Sequence, residues 1–253
     1  MPKIYDTLII GAGIAGATAA YTLTQKNQKV LVLDKNGIAS GGSGAAGAFV
    51  SPKIGKGSAL QTLTNEAFVF AKEFYLATCP EYFHQTGVIR IPKDEVDADK
   101  FSEYEKFNDT YYENYPKEKL QTLGINVDFD SFYFPDAGDC DAVEVCQFLL
   151  KNIEVIKEEV LNITKEDGLW CVGAYKARNI VLSTGHESNL LDMAYMGIRG
   201  TWGTRADFSS DLDLKVSMHQ SMSVGANING SIKLGATHEK MVKEVMPCDK
   251  TQA

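Results

Sequence analysis

Tyr5-Asp6-Thr7-Leu8-Ile9-Ile10, then Gly11-Ala12-Gly13-Ile14-Ala15-Gly16, then Ala17 to Gln25 and Lys29-Val30-Leu31-Val32-Leu33-Asp34: this opening stretch decides the fold. Its first and last runs are apolar without alternation, as expected of parallel strands buried on both faces. Ala17 to Gln25 is rich in Ala and Leu and free of Gly and Pro, so a helix joins them. A GxGxxG motif by itself is weak evidence. Here it lies between a strand and a helix, and Asp34 closes the next strand eighteen residues after Gly16, which makes the signal strong. Gly11 permits the tight turn, Gly13 admits a pyrophosphate to the amides of Ile14 and Ala15 at the positive helix end, and Gly16 lets the helix pack closely. Asp34, with Lys35 beside it, is placed to accept ribose hydroxyls. The fingerprint fits the adenosine diphosphate half of NAD or of FAD equally well.

Outward from this unit the composition turns to Gly, Ser and Ala from Gly37 to Gly57, a loop built for close backbone approach. Leu60, Leu63, Ala67, Phe70 or Ala71, and Phe74 then recur at helical spacing, and this stripe is expected to face the core. Gly87 to Pro92 reads as a strand. Ser102 to Tyr115 reads as a half-buried helix carrying Tyr104, Phe107, Tyr111 and Tyr115. Cys146 to Asn152 reads as a helix end, Glu154-Val155-Ile156 and Trp170-Cys171-Val172 as strands, and Asn179 to Gly185 as a buried strand entering a glycine turn. Short strands separated by Gly, Asn and Asp follow Gly197.

The 253 residues are 44% apolar, enough to bury a sizeable core. A net charge of -8 argues against broad nucleic-acid binding, which requires a basic face; a tRNA substrate would need a local basic patch. No long uncharged apolar run and no signal-like start appear, so a cytoplasmic protein without membrane attachment is expected. Cys79, Cys140, Cys146, Cys171 and Cys248 have no CxxC spacing and read as buried reduced thiols. His84, His186, His219 and His238 are dispersed, so no metal site is expected. Arg90, Arg178, Arg199 and Arg205 are the candidate anion contacts.

Gly41-Gly42-Ser43-Gly44-Ala45-Ala46-Gly47-Ala48 through Ser51-Pro52 resembles the segment by which D-amino-acid-oxidase-like flavoproteins hold FAD. Val181-Leu182-Ser183-Thr184-Gly185 resembles their second signature, with Ser183 in place of an Ala. Val155 to Val160 stands where the family has a strand whose end, here Val160, contacts adenine through its backbone. Within that superfamily the resemblance is strongest to the oxidase half of the bifunctional tRNA-modifying MnmC family. It is carried by Gly42-Ser43 through Ser51-Pro52, Asn65 to Tyr75, Thr86-Gly87-Val88, Ile198-Arg199-Gly200 and Leu234-Gly235-Ala236-Thr237-His238.

The resemblance implies an α/β fold: a Rossmann-like, glutathione-reductase-type FAD-binding domain at 1–75 and 149–192, and an inserted α+β substrate domain at 76–148 and 193–253. It implies FAD held by Gly11, Gly13, Ile14, Ala15, Gly16, Asp34, Lys35, Gly42, Ser43, Gly44, Gly47, Ala48, Val160, Thr184 and Gly185. Arg199, in the Arg-Gly of the pattern, is the implied substrate or flavin-edge contact. The implied reaction is oxidation of a secondary amine, most of all the carboxymethylaminomethyl group of wobble uridine in tRNA, with a free amino acid (glycine, sarcosine or a D-amino acid) as the alternative substrate. A truncated flavin-binding protein without activity is the further alternative, because the relatives' final strand and glycine-rich helix start have no match after Gly235. On that view the chain as given binds FAD poorly.

Overall fold

The computed structural model describes residues 3–187, 190–237 and 239–240. The chain opens with β1 (Ile4–Ile10), α1 (Ile14–Gln25), β2 (Val30–Asp34) and the short α2 (Gly42–Ala45). It leaves the first compact unit at Gly47 to build β3 (Phe49–Val50), α3 (Ala59–Thr78), β4 (Phe83–His84), β5 (Val88–Arg90) and α4 (Glu95–Tyr104). β6 (Glu113–Tyr115), α5 (Lys117–Thr122), β7 (Ser131–Phe134) and β8 (Gly138–Cys140) complete that excursion. It returns with α6 (Ala142–Leu150), β9 (Glu154–Lys157), β10 (Thr164–Glu166), β11 (Leu169–Val172), β12 (Tyr175–Leu182) and β13 (Thr201–Trp202). A second excursion carries β14 (Arg205–Ser209), β15 (Ser217–His219), β16 (Ser223–Val224) and β17 (Ser231–Gly235), and β18 (Glu239–Lys240) lies back in the first unit.

The first unit is a six-stranded sheet in the order β10-β11-β12-β1-β2-β9. β12, β1, β2 and β9 run parallel, and β10 and β11 add an antiparallel edge. Leu8, Ile9, Leu31, Val32 and Leu33 are fully buried, so β1 and β2 are apolar on both faces because both faces are covered. α1 packs on α6.

The second unit holds a seven-stranded sheet, β14-β17-β16-β15-β5-β7-β6, and a three-stranded one, β3-β8-β4. β5 divides its side chains by the strand period of two: Val88 joins Phe68, Phe101, Phe132 and Phe134, whereas Ile89 joins Leu120 and Ile125. The expected α/β architecture with an inserted α+β unit is present. The units run Met1–Ala46, Ala142–Gly203 and His238–Ala253 against Gly47–Asp141 and Thr204–Thr237, rather than dividing at 75, 148 and 192. The shift has a cause at α3, whose Phe68 packs with Val88 and Phe132 inside the second unit.

Two local expectations are corrected. The stripe of α3 read as core faces solvent, with Leu60 and Leu63 both 62% exposed and Phe70 70% exposed. The buried face instead carries Gln61 and Asn65 with Phe68 and Tyr75. Gln61 donates to Phe107 O at 3.0 Å and accepts from Gly57 N at 3.1 Å, and Asn65 accepts from Lys53 N at 2.8 Å and donates to Asp109. Partnered in this way, polar side chains can occupy the inside of a helix. The helix expected over Ser102 to Tyr115 begins earlier and ends at Tyr104. Asp94 caps its start by accepting from Asp97 N, and Glu105 then accepts from Tyr112 OH and Asn114 Nδ2, drawing the following chain into β6.

A polar cluster lies in the second unit. Lys233 donates to Asp141 at 2.7 Å and approaches Asp139 at 3.4 Å; His84 lies 3.0 Å from Asp141, and Ser217 donates to Asp139 at 3.4 Å. Asp139 is 1% exposed.

Candidate functional site

The glycine turn sits at the carboxyl ends of parallel strands β12, β1 and β2, the place where open α/β sheets bind ligands. Gly11 has φ +106°, and a Cβ there would lie 2.3 Å from Ser183 O. A Cβ on Gly16 would lie 1.9 Å from Gly11 O, so α1 rests on the turn with no room for a methyl group. Ser183, the departure from the family's Ala, places its hydroxyl 2.9 Å from Ile10 O and 3.1 Å from Gly11 O and ties the end of β12 to the turn. The sequence marked this position but gave no sign of that bond.

Gly13 caps the twelve-residue α1 without any side-chain hydrogen bond. The nearest obstacle to a Cβ on Gly13 is Ser43 Oγ at 3.0 Å, then Ser43 Cβ at 3.9 Å. Space therefore remains over Gly13, beside the amides of Ile14, Ala15 and Gly16 and the positive end of the helix dipole. Ser43, on α2, accepts from Ile14 N at 2.9 Å and brings a hydroxyl to the same helix end. Gly44 lies so close to Ala39 O that a Cβ would fall 2.2 Å away, and Gly42 has open space around it.

Asp34 has a second task that its spacing does not reveal. Oδ2 accepts from Ala12 N at 2.8 Å, and Oδ1 accepts from Asn36 N at 2.9 Å and Gly37 N at 2.8 Å. Two backbone donors fill Oδ1, with Ser40 Oγ more distant at 3.4 Å, and Oδ2 keeps one open lone pair, so Asp34 has room for one added hydroxyl rather than two. These groups fit the adenosine diphosphate half of FAD: a helix end whose Ala15 and Gly16 amides face open space over Gly13, a glycine with no Cβ in the way, the Ser43 hydroxyl and an acid at the next strand end.

Other expected residues are more scattered. Lys35 is exposed and paired with Glu187 at 2.6 Å. Val160 lies beyond β9 and packs against the core of the first unit, whereas Thr184 and Gly185 follow β12, Gly185 at φ +66°. Gly47 and Ala48 fall in the second unit, where Ala48 O accepts from Cys140 N at 3.0 Å. Arg199 is exposed in the first unit, without an ion pair among the described residues. Arg90, ranked below it by sequence, is the arginine drawn into a protein interior.

Cys79, Cys140, Cys146 and Cys171 are free and buried, and burial pushes Cys79 and Cys146 up to about 11. Cys248 and His238 lie outside the described residues. Among the described residues no group of three or more His, Cys, Asp and Glu could hold a metal, and no helix is long and apolar enough to cross a membrane. In the second unit Lys56, Lys72, Arg205 and Lys215 pair with Glu103, Asp136, Asp207 and Asp213, so these cations are locally offset rather than pooled as a basic patch.

The chain is similar in sequence to curated proteins and in fold to solved structures. A protein of Marinobacter nauticus named tRNA 5-methylaminomethyl-2-thiouridine biosynthesis bifunctional protein MnmC is 28% identical over 199 residues, covering 73% of this chain and 31% of that protein. Its namesake from Legionella pneumophila strain Philadelphia 1 is 24% identical, covering 92% of this chain and 37% of that protein. The chain thus spans about a third of the length of these curated relatives. Glycine oxidase from Geobacillus kaustophilus superposes with a TM-score of 0.82 at 17% identity, covering 98% of this chain and 75% of that one. L-proline dehydrogenase from P. horikoshii gives 0.75 at 16% identity, covering 99% and 74%. The family model described as FAD dependent oxidoreductase, DAO, matches residues 6–239, and the chain belongs to that family.

Proposed function

We propose that this chain carries out the oxidative half of a tRNA wobble-uridine modification, oxidising the secondary amine of a carboxymethylaminomethyl group to release glyoxylate and leave an aminomethyl group. The observation that carries the reading is the alignment with the MnmC proteins over most of the chain. FAD, when bound, takes two electrons from the amine carbon and delivers them to oxygen. The residues of this chain hold and orient. The amides of Ala15 and Gly16 receive the pyrophosphate over Gly13, while Ile14 N is held by Ser43 and Gly42 lies beside it. Asp34 accepts one ribose hydroxyl while fixing Ala12, and Thr184, Gly185 and Val160 border the same end of the sheet. Gly47 and Ala48 continue the same segment of chain, and Lys35 and Arg199 are exposed residues of the first unit.

Hydrogen peroxide release on tRNA bearing the carboxymethylaminomethyl group, on glycine and on sarcosine tests the substrate. Turnover on the tRNA, lost at high salt, is expected. Turnover on the free amino acids alone assigns a free amino-acid oxidase instead, and no turnover on any of them overturns both readings. Two variants test the holding residues. Ser43→Ala removes the acceptor for Ile14 N and is expected to weaken FAD roughly tenfold at a stability cost of about 1 kcal/mol. Asp34→Asn keeps the shape but weakens charge-assisted bonds to Ala12 and the ribose, with an expected loss of about 2 kcal/mol in FAD binding, read by flavin fluorescence. Unaltered affinity in both variants would move the cofactor's adenosine end elsewhere.

A further inference from the structure

α3 presents to solvent a seam of the kind that packs against another helix. Leu60, Leu63, Ala67 and Phe70 are exposed and Phe74 is half-buried, and they follow one another at intervals of three, four, three and four residues. That is the a and d pattern of a coiled coil, with the small Ala67 at its centre and Phe70 stacked on Phe74 at 6.3 Å. The helix cannot turn this stripe inward. Ser58 caps it by accepting from Gln61 N at 3.1 Å, Lys72 is tied to Asp136 at 2.7 Å, and Gln61, Asn65, Phe68 and Tyr75 hold its buried face. Single exposed apolar residues are ordinary, but a continuous row of them marks an interaction surface.

The spacing of the seam and the charges beside it define the occupant. A repeat of 3.5 residues matches a second helix, whereas a strand would offer side chains at a period of two. Glu66 and Glu73 each precede a seam position, at Ala67 and Phe74, and they are the only charged residues among the exposed positions of α3. The helix's lysine, Lys72, is taken by Asp136. A second copy of the chain is therefore a poor partner. Antiparallel pairing would set Glu66 and Glu73 against their own counterparts, parallel pairing would face them with Ala71 and Thr78, and each copy carries a net charge of -8.

We propose that α3 is the docking site for an amphipathic helix of a basic partner protein, one that lays an apolar seam along Leu60 to Phe74 and directs Lys or Arg side chains at Glu66 and Glu73. This goes beyond the amine-oxidase reading and does not depend on it. The seam supplies the affinity, with Leu63 and Phe70 at its middle as anchors, and the acids set orientation and choice of partner. Two heptads fall short of the roughly 800 Å² per partner of a standard interface, so the complex is a reversible one.

Fluorescence anisotropy of the FAD-loaded protein with two labelled helical peptides tests it, both with Leu along the seam, one with Lys and the other with Glu beside it. Saturable binding of the basic peptide with a Kd on the order of 10 μM is expected, and binding of the acidic one about tenfold weaker or less. Leu63→Ser with Phe70→Ser, both at exposed positions, should weaken the basic peptide about tenfold or more with flavin content unaltered. Glu66→Lys with Glu73→Lys should invert the preference, so that the acidic peptide gains what the basic one loses. An inversion is a gain of binding that unfolding cannot produce, and because this variant is still net negative, overall charge cannot produce it either. No saturable binding of the basic peptide, equal binding of both peptides by the unaltered protein, or the original order kept in the double-lysine variant overturns the proposal. So does a dimer in sedimentation that Phe70→Ser dissolves, which would give the face to a second copy of the chain.

Discussion

Gly16→Ala will abolish FAD binding by unfolding the first unit, whereas Gly13→Ala will abolish it in a folded protein. The added methyl at Gly16 falls 1.9 Å from the backbone oxygen of Gly11, which is itself pinned through Ser183 and cannot move aside. Relief requires α1 to lift from β1, at an expected cost on the order of 4 kcal/mol or more, a large part of the stability of most domains. At Gly13 the methyl meets Ser43 Oγ at 3.0 Å, and moving that hydroxyl weakens only its bond from Ile14 N, so the fold should lose about 1 kcal/mol. The space it fills is the space assigned to the pyrophosphate. Thermal unfolding with circular dichroism and flavin content separates the two, and a Gly13→Ala protein that retains flavin would remove the pyrophosphate from this turn.

Lys233→Met should destabilise the second unit by about 3 kcal/mol at neutral pH, because it leaves Asp139 and Asp141 without their cation. The pH dependence identifies the mechanism. Asp141 is partly buried, which pushes its carboxyl up, but the bonds from Lys233 and His84 outweigh this and hold it below the ordinary range. Its stabilisation is therefore present above about pH 4 and lost as the pH falls through the depressed value. Burial pushes Asp139 upward, so its share is present in acid and lost as the pH rises through the raised value. For Lys233, burial lowers and the Asp141 bond raises; the net rise keeps its share intact below about pH 10.4 and lost only above. Without the lysine both carboxyls rise, and protonating them relieves the defect. The deficit in urea midpoint should then be large at pH 7.5 and shrink towards pH 5. An equal deficit at both values would show that lost packing, not charge, is responsible.

What could be read from sequence was what depends on nearby backbone. The Gly11 to Gly16 turn and Asp34 are separated by a single helix, and each has a steric or hydrogen-bonding reason to be the residue it is. The inside of α3 was read backwards because apolar spacing gives a helix its period but not its orientation. Leu60, Leu63 and Phe70 had the period, while Gln61 and Asn65 had distant partners at Phe107 and Asp109. Asp34 was found, but not its bond to Ala12 N, which depends on how the second strand meets the first turn.

The path of the chain through its two units also sets an order of events on the ribosome. β1 meets β2 across a helix, and those two strands can pair soon after they emerge. The other edge of β1 is reserved for β12, with Ile4 opposite Lys176 and Ile10 opposite Leu182. Until that segment is synthesised, an entire excursion through the second unit later, the central apolar strand has an open flank. The nascent chain must carry this edge unpaired until β12 emerges, and a chaperone would shield it meanwhile. Slowing translation between Gly47 and Asp141 should lengthen that interval, and misfolding in the cell should follow the time spent there more closely than the stability of the finished protein.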